Sequence, residues 1–249
     1  MNIALILSGG IGTRLGTERP KQYIEVYGKP IIFYCIECIL QHPLMDAVQI
    51  VADPVWHGYI EKWLSQIDTD IRRKFKGFVR PGNTRQLSVY NGLEAAIDYA
   101  DAADYVFIHD AVRPMLTVKQ ITDCLEAARG HDGVLPVLPM KDTVYSSING
   151  KTVASLLNRK EIYAGQAPEV FQLGKYYEAN KRLLPDEILK INGSTEPAVM
   201  AGMDIVMING DEGNFKITTK ADLERFRSII EERNHQRDLV NESLGFTRN

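Results

Sequence analysis

Short apolar segments alternate with amphipathic ones along the chain before Lys141. Strand-like segments occur at 3–7, 47–52, around 78–79, at 105–108 and at 133–138, and those at 3–7 and 105–108 are continuous apolar runs. Segments with apolar residues at helical spacing lie between them, at 30–40, 55–67, 85–100 and 117–129. Continuous apolar strands are typical of a sheet that is covered on both faces. The alternation therefore predicts an α/β fold with a Rossmann-like twisted mixed sheet, mostly parallel, and helices on both faces.

The pattern changes after Lys141, where β-rich runs at 143–146 and 152–154 flank the dipeptide Asn149-Gly150. Asn-Gly between two such runs is a strong hairpin signal. A lone hairpin is only marginally stable in water. We therefore expect residues 141–160 to project from the domain as a β-arm that packs on a partner subunit.

The chain after the arm completes the same domain. A strand near Tyr163, a helix near Tyr176, a strand at 205–208 and a helix at 221–230 are predicted there. No linker or internal repeat interrupts the sequence. We therefore predict a single domain at 1–233, followed by a polar C-terminal tail at 234–249.

Composition excludes several classes of protein. The 249 residues are 45% hydrophobic and 24% charged, as in ordinary globular proteins. The formal net charge of −3 lacks the basic excess of a general nucleic-acid binder. Cys35, Cys38 and Cys124 give no disulfide framework and fit a reducing compartment, and the first two are expected to be core thiols rather than zinc ligands. No apolar run approaches the roughly 18 residues that a membrane helix needs, so we expect a cytoplasmic protein with no nucleic-acid or membrane partner.

A glycine-rich loop, Ser8-Gly9-Gly10-Ile11-Gly12-Thr13-Arg14, directly follows the first strand. Ligands of such sheets bind at the carboxyl ends of the strands, and glycines let backbone N–H groups approach a phosphate chain. Arg14 and Lys21 add cations that could neutralise a triphosphate, although a tight turn with solvated cations is the alternative. A dinucleotide fingerprint fails because Leu15 stands at its third glycine position, and the Gly-Lys-Ser/Thr of a P-loop is absent.

This loop, with Pro20-Lys21-Gln22 downstream, is similar to the signature of nucleotidyltransferases that activate sugar or polyol phosphates. More closely, the chain resembles the cytidylyltransferases that act on 2-C-methyl-D-erythritol 4-phosphate and on D-ribitol 5-phosphate. The segments that carry this resemblance are 82–89, 109–114, 142–143, Arg159, 165–168 and 214–219. Together they extend along nearly the whole chain.

The resemblance implies transfer of CMP from CTP to the phosphate of a small polyol phosphate, with release of pyrophosphate. It implies Mg²⁺ bound mainly through the nucleotide phosphates, and a homodimer built by the β-arm. The implied catalytic cations are Arg14, Lys21 and Lys216. The implied nucleotide-binding residues are Ser8, Gly9, Gly10, Gly12, Gly82, Asn83, Ser88, Asp110 and Ala111. The implied acceptor-binding residues are Asp110, Thr143, Arg159 and Thr195, of which Thr143 and Arg159 act from the neighbouring subunit.

Three residues near the end of the strand at 105–108 have open roles. Asp110 holds a ribose or acceptor hydroxyl, or assists Mg²⁺; the alternative is a helix or turn cap. Arg113 either forms an ion pair with a nearby acid or contacts ligand. His109 is expected to be a satisfied histidine, because this reaction requires no catalytic base.

The acceptor is the least determined part of the resemblance. Ala167 stands where the family commonly has threonine, and Thr195-Glu196 stands for a Thr-Asp pair. The enzymes that act on D-ribitol 5-phosphate, a cell-wall or capsule precursor, often carry the residue types found here at Val112 and Trp56. These cues favour D-ribitol 5-phosphate over 2-C-methyl-D-erythritol 4-phosphate, the acceptor in isoprenoid biosynthesis.

Three rival functions stay open at this point: transfer from another nucleotide, a dinucleotide-dependent oxidoreductase, and a non-catalytic nucleotide-binding protein. The spacing of Gly16 disfavours the oxidoreductase. Intact Arg14, Lys21 and Lys216 speak against a protein that has lost catalysis.

Overall fold

The computed structural model of the protein describes residues 1–10 and 19–243. Within these ranges the strands are β1 (Asn2–Leu7), β2 (Glu25–Val26), β3 (Lys29–Pro30), β4 (Ala47–Val51), β5 (Phe75–Val79), β6 (Tyr105–Asp110), β7 (Gly133–Pro139), β8 (Tyr145–Ser146), β9 (Ser155–Leu156), β10 (Tyr163–Gly165), β11 (Glu169–Gln172) and β12 (Ile205–Asn209). The α-helices are α1 (Ile31–Gln41), α2 (His57–Leu64), α3 (Thr69–Arg72), α4 (Arg85–Ile97), α5 (Val118–Ala127), α6 (Leu173–Lys181), α7 (Thr195–Met200) and α8 (Lys220–Ser243). Short 3₁₀ helices occur at Lys21–Tyr23, Pro54–Trp56, Arg159–Glu161 and Glu187–Lys190.

The main sheet confirms the predicted mixed, mostly parallel architecture. Strands β5, β4, β1 and β6 run parallel in that order, and β12 runs parallel to β7. Between β6 and β7 lies β11, which is antiparallel to both. β10 is also antiparallel to β7. It pairs with the second half of β7, where Gly165 is opposite Val137, whereas β11 pairs with the first residues of β7.

Both faces of the sheet are buried, which explains the continuous apolar runs in the sequence. In β1, Ala4 and Ile6 belong to the core under α1, α2 and α5. Ile3 and Leu5 face the opposite core, with residues of α4, α6 and α7. Every residue of such a strand therefore buries its side chain in one of the two cores.

Strand β11 was not predicted from the sequence. Only Val170 and Phe171 are apolar in this four-residue strand, which is too short for a periodic signal. Its insertion matters because it carries Glu169 to the edge of the sheet where β6 ends, and Glu169 pairs in register with Ile108 of β6.

The C-terminal helix α8 is longer than the predicted segment 221–230, and it continues through residues 234–243, where a polar tail was expected. Its first half is anchored by Leu223, Phe226 and Ile230, and the ring of Phe226 lies 5.0 Å from that of Tyr34. The following segment is rich in Glu and Arg, which are good helix formers. Polarity there is compatible with an exposed helix. Among the described helices, none is long and apolar enough to cross a membrane.

The β-arm forms a separate two-stranded sheet, in which Tyr145 is opposite Leu156. The second strand begins at Ser155, later than the predicted run at 152–154, because Asn149 organises a longer loop. Its Oδ1 atom accepts hydrogen bonds from the backbone N–H groups of Lys151, at 2.9 Å, and Thr152, at 3.0 Å.

His109 supports the turn that follows β6. The side chain is fully buried, and its Nε2–H donates to the carbonyl oxygen of Arg113 at 3.0 Å. Burial lowers the pKa of His109 to about 4. The residue is therefore a neutral structural histidine, but the expectation of a satisfied ring is only half met, because its buried Nδ1 has no hydrogen-bond partner among the described residues.

Acidification should destabilise the protein through His109. An unfolded histidine with a pKa of 6.5 binds a proton before the folded one does, so the stability contribution is complete above pH 6.5 and is lost as the pH falls toward 4. Between pH 7.5 and pH 5 this residue alone should lower the free energy of unfolding by about 2 kcal/mol. Urea unfolding at the two pH values measures the difference, and a His109→Gln control should show a weaker pH dependence. Equal pH dependence in both proteins would contradict the assignment.

Candidate functional site

The described part of the glycine-rich loop is fixed at the carboxyl end of β1. The backbone N–H of Ser8 donates to the carbonyl oxygen of Val51 at 2.8 Å. The side-chain amide of Gln22 donates to the carbonyl oxygens of Ser8 and Gly10, each at 2.8 Å. A Cβ atom on Gly9 would lie 2.4 Å from the Cβ of Pro81, so only glycine allows this approach. Gly12 and Arg14 lie outside the described residues.

Lys21 begins the 3₁₀ helix that holds this loop, since Gln22 and Tyr23 follow it directly. The Tyr23 hydroxyl and the Ser8 hydroxyl share a hydrogen bond of 2.8 Å, and burial raises the pKa of Tyr23 to about 12. The ring of Tyr23 stacks on Trp56 with 4.2 Å between centroids. Trp56 thus supports the glycine loop from behind.

The segment before α4 forms the neighbouring wall of the site. The backbone N–H of Gly82 donates to the Ser88 hydroxyl at 3.0 Å, and that hydroxyl donates to the carbonyl of Thr84 at 2.9 Å. A Cβ atom on Gly82 would lie 2.5 Å from Leu87. Asn83 is exposed. Because Pro81 touches Gly9, this turn and the glycine loop lie side by side.

Asp110 ends β6 beside this pair of segments, and Ala111 follows it, with its N–H bonded to Leu7 of β1 at 3.1 Å. The Asp110 carboxylate is 6% exposed and is contacted by three cations. Its Oδ1 accepts from Arg85 Nε at 3.2 Å and Nη2 at 3.1 Å. Its Oδ2 lies 2.9 Å from Lys216 Nζ and 3.5 Å from Arg113 Nε.

The electrostatics of Asp110 are set by two opposing effects. Burial raises the pKa of this carboxyl, but Arg85, Lys216 and Arg113 together lower the pKa by a larger amount. The pKa therefore lies well below its usual range. Asp110 is therefore a permanent anion, and its described side-chain partners are cations rather than the backbone of the next turn. The ion-pair alternative for Arg113 is confirmed.

The loop that carries Lys216 is fixed from behind. Arg113 Nη1 donates to the carbonyl of Asn214 at 2.8 Å. Gln166 donates from Nε2 to the carbonyl of Asp211 at 2.8 Å, and its Oε1 accepts from the Asp211 N–H at 2.9 Å. The Ile217 N–H donates to Val112 at 2.9 Å. These contacts direct the lysine toward Asp110.

A cavity of about 290 Å³ opens beside Asp110. Its lining includes Arg85, Asp110, Arg113, Leu135, Gly165, Gln166, Ala167, Glu169, Asn192, Gly193, Ser194, Thr195, Glu196 and Lys216. The Thr195 hydroxyl donates to Glu169 Oε1 at 2.8 Å. Arg85 Nη2 lies 3.6 Å from Glu169 Oε2, and its Nη1 donates to the Ser194 hydroxyl. The cavity thus combines three cations with several oxygen acceptors.

Two of the acceptor residues implied by the resemblance lie on the arm, away from this cavity. Thr143 and Arg159 are exposed, and Arg159 Nη1 donates to the Lys141 carbonyl at 2.7 Å. Lys141 pairs with Glu212 and so joins the base of the arm to the loop of Lys216. Among the residues described as lining the cavity, none comes from the arm of the same chain.

The donor set does not form a metal site by itself. The described residues contain no group of three or more His, Cys, Asp or Glu side chains that could hold a metal ion. Asp110 is already paired with Arg85, Arg113 and Lys216. Any Mg²⁺ here would need oxygen ligands from the substrates.

Sequence reasoning missed Glu169 and Ser194, and it assigned no role to Arg85. Arg85 lies in the segment 82–89, which carries part of the family resemblance, and it directly follows the N-cap Thr84, so its position at the head of α4 is a usable signal. Glu169 directly follows the segment 165–168 but carries no motif signal of its own, and Ser194 belongs only to the glycosylation-type triplet Asn192-Gly193-Ser194. They are brought to Arg85 only by the fold.

A larger cavity, of about 890 Å³, lies near the amino end of β6 and is lined in part by Ala102, Ala103 and Lys175. Ligands of parallel sheets bind at the opposite, carboxyl ends of the strands. We therefore assign the chemistry to the smaller cavity, where the charged residues converge.

Comparison with known proteins agrees with this geometry. Residues 2–232 match the family model of IspD, 2-C-methyl-D-erythritol 4-phosphate cytidylyltransferase. The chain is 31% identical over 232 residues to ribitol-5-phosphate cytidylyltransferase of Vibrio parahaemolyticus, covering 93% of this chain and 96% of the relative. It is 30% identical over 220 residues to 2-C-methyl-D-erythritol 4-phosphate cytidylyltransferase of Clostridium beijerinckii, covering 88% and 94%.

Solved structures give the same result. The crystal structure of the Francisella tularensis 2-C-methyl-D-erythritol 4-phosphate cytidylyltransferase superposes with a TM-score of 0.75 at 27% identity, covering 90% of this chain and 97% of that one. The 4-diphosphocytidyl-2C-methyl-D-erythritol synthase from Anaerococcus prevotii shares the fold, with a TM-score of 0.78 at 23% identity, covering 92% and 96%. The family match spans nearly the whole chain, and the protein belongs to the IspD family and is a cytidylyltransferase.

Proposed function

We propose that the protein transfers CMP from CTP to D-ribitol 5-phosphate or a similar linear polyol phosphate and releases pyrophosphate. The observation that carries this proposal is the cavity beside Asp110, where three cations meet oxygen acceptors at the carboxyl end of β6. Cations suit the phosphates of both substrates, and oxygen acceptors suit the hydroxyl groups of a polyol.

In the proposed reaction, a phosphate oxygen of the acceptor attacks the α-phosphorus of CTP and pyrophosphate leaves. Negative charge grows on the α-phosphoryl oxygens and the leaving group, so catalysis depends on positioning and cationic stabilisation. Arg14, Lys21 and Lys216 supply that charge. The loop of Ser8, Gly9, Gly10 and Gly12 wraps the triphosphate, while Gly82, Asn83, Ser88 and Ala111 contact the nucleoside. When bound, Mg²⁺ would be held mainly by the nucleotide phosphates and would supply further neutralisation of their charge.

Three observations support the choice of acceptor. Curated relatives named ribitol-5-phosphate cytidylyltransferase match at up to 31% identity. Ala167 lines the cavity without a side-chain hydroxyl. Thr195 also lines it, and its hydroxyl hydrogen is directed to Glu169. We therefore place the polyol hydroxyls near Thr195 and Asp110.

The arm supports a homodimer. Tyr145 and Leu156, opposite each other on the hairpin, are 56% and 65% exposed, and Ile148 is 97% exposed. Burial of exposed apolar side chains against a partner lowers the free energy and so favours association. In such a dimer, Thr143 and Arg159 of one subunit contact the acceptor phosphate in the other. The three cysteines are free, which fits a cytoplasmic enzyme.

The first prediction of the proposed function concerns Lys216. Its replacement by alanine should lower kcat by about 100- to 1,000-fold, the usual cost of losing one preorganised group that faces developing charge. The fold should persist, because Asp110 keeps Arg85 and Arg113. The control is Lys220→Ala, which removes an exposed lysine at the start of α8. Near-normal kcat in folded Lys216→Ala protein would exclude a catalytic role.

The second prediction concerns the acceptor. With CTP and Mg²⁺, pyrophosphate release should show a higher kcat/KM with D-ribitol 5-phosphate than with 2-C-methyl-D-erythritol 4-phosphate. UTP and dTTP serve as nucleotide controls and should support slower release. A preference for the methylerythritol phosphate would reverse the choice of acceptor and leave the family assignment unchanged.

The third prediction concerns assembly. The double variant Tyr145→Ser/Leu156→Ser should shift the protein from dimer toward monomer in analytical ultracentrifugation. It should also raise KM for the acceptor more than KM for CTP, because Thr143 and Arg159 act across the interface. The matched control is Val55→Ser, which replaces an exposed apolar side chain outside the arm; Val55 is 75% exposed. A wild-type protein that sediments as a monomer would refute the role of the arm.

A further inference from the structure

We propose that Glu169 is a specificity-determining residue, whose carboxylate accepts a hydrogen bond from one hydroxyl group of the acceptor polyol. The inference rests on the proposed function, because it requires a polyol phosphate in the cavity beside Asp110. It adds a selection for one hydroxyl group by a residue that carried no motif signal in the sequence.

The fold places Glu169 at the wall of this cavity. The residue opens β11 and pairs in register with Ile108, whose side chain faces the core with residues of α4 and α7. It is 7% exposed. Contacts run in series from Lys216 through Asp110 and Arg85 to Glu169, and end at Thr195.

The carboxylate of Glu169 has acceptor capacity that its described partners do not use. An ionised carboxylate offers about four acceptor positions. Oε1 accepts one hydrogen bond, from the Thr195 hydroxyl at 2.8 Å. Oε2 lies 3.6 Å from Arg85 Nη2, which is an ion pair but too long for a hydrogen bond. A donor that enters the cavity would therefore find a vacant acceptor in a site where unmet polar groups are costly.

The charges of the cavity indicate that this donor is a hydroxyl rather than a phosphate. A phosphate offers acceptor oxygens rather than a donor to Glu169, and it is drawn instead to the three cations around Asp110 on the same lining. A neutral hydroxyl donates to a carboxylate in a charge-assisted hydrogen bond, which is stronger than a neutral one. Ala167, on the same lining, presents only a methyl group. Glu169 is thus suited to select an acceptor by the presence of one hydroxyl group.

The test compares acceptors within each enzyme variant. The parent acceptor is whichever of D-ribitol 5-phosphate and 2-C-methyl-D-erythritol 4-phosphate the wild-type enzyme prefers. Its partners are analogues in which each hydroxyl in turn is replaced by hydrogen. In the wild-type enzyme, one analogue should lose roughly 10- to 100-fold in kcat/KM, the range for a hydrogen bond to a charged group. In Glu169→Ala that ratio should fall to about 1, and in Glu169→Gln to an intermediate value, because a neutral acceptor remains.

The controls distinguish selection of an acceptor hydroxyl by Glu169 from a purely structural role in holding Arg85. Each ratio is measured within one protein, so a partly unfolded fraction cancels. Glu187→Gln removes a carboxylate that is 60% exposed and is not among the residues that line the cavity, and it should keep the wild-type ratio. If Glu169→Ala lowers kcat/KM equally for the parent and every analogue, Glu169 only holds Arg85 and the proposal is overturned. A wild-type preference for the methylerythritol phosphate would refute the proposed acceptor alone, because the ratio is then measured on that compound.

Discussion

Asp110 is a buried carboxylate that holds three cations from three separate parts of the chain. Arg85 comes from the start of α4, Arg113 from the turn after β6, and Lys216 from the loop before α8. A single buried anion costs several kcal/mol in desolvation unless it is paired, and the cations would repel one another without it. The convergence of these elements at the end of β6 therefore depends on this one side chain.

The support behind the cluster explains how its geometry is maintained. The carbonyl of Arg113 accepts from His109, while its guanidinium donates to the carbonyl of Asn214. Gln166 makes two further hydrogen bonds to Asp211, in the same loop as Lys216. The link between β10 and β11, which lines the cavity beside Asp110, and the loop that carries the lysine therefore support each other. Groups that are fixed in this way lose little freedom when substrate binds.

The parts of the fold that could be predicted from sequence are those where every residue reports the same environment. The strands at 3–7 and 105–108 are apolar throughout because both of their faces are buried. The glycine loop and Asp110 carried motif signals as well. In contrast, β11 contains two apolar residues between polar ends, so no period could be read. Glu169 gains its meaning only from Arg85 and Thr195, which are distant in sequence, and single-sequence patterns contain no such information.

The ion pair between Lys216 and Asp110 has a consequence for the energetics of substrate binding. In the proposed reaction, the ammonium group leaves a carboxylate and meets a phosphate, so it exchanges one counter-ion for another. Asp110 retains both guanidinium groups during that exchange and does not become an isolated charge in a poorly solvated site. Part of the dehydration of the lysine has then already been met in the folding of the chain, since its side chain is 36% exposed before any substrate arrives. Before substrate binds, the charge of Lys216 is therefore already held in an ion pair.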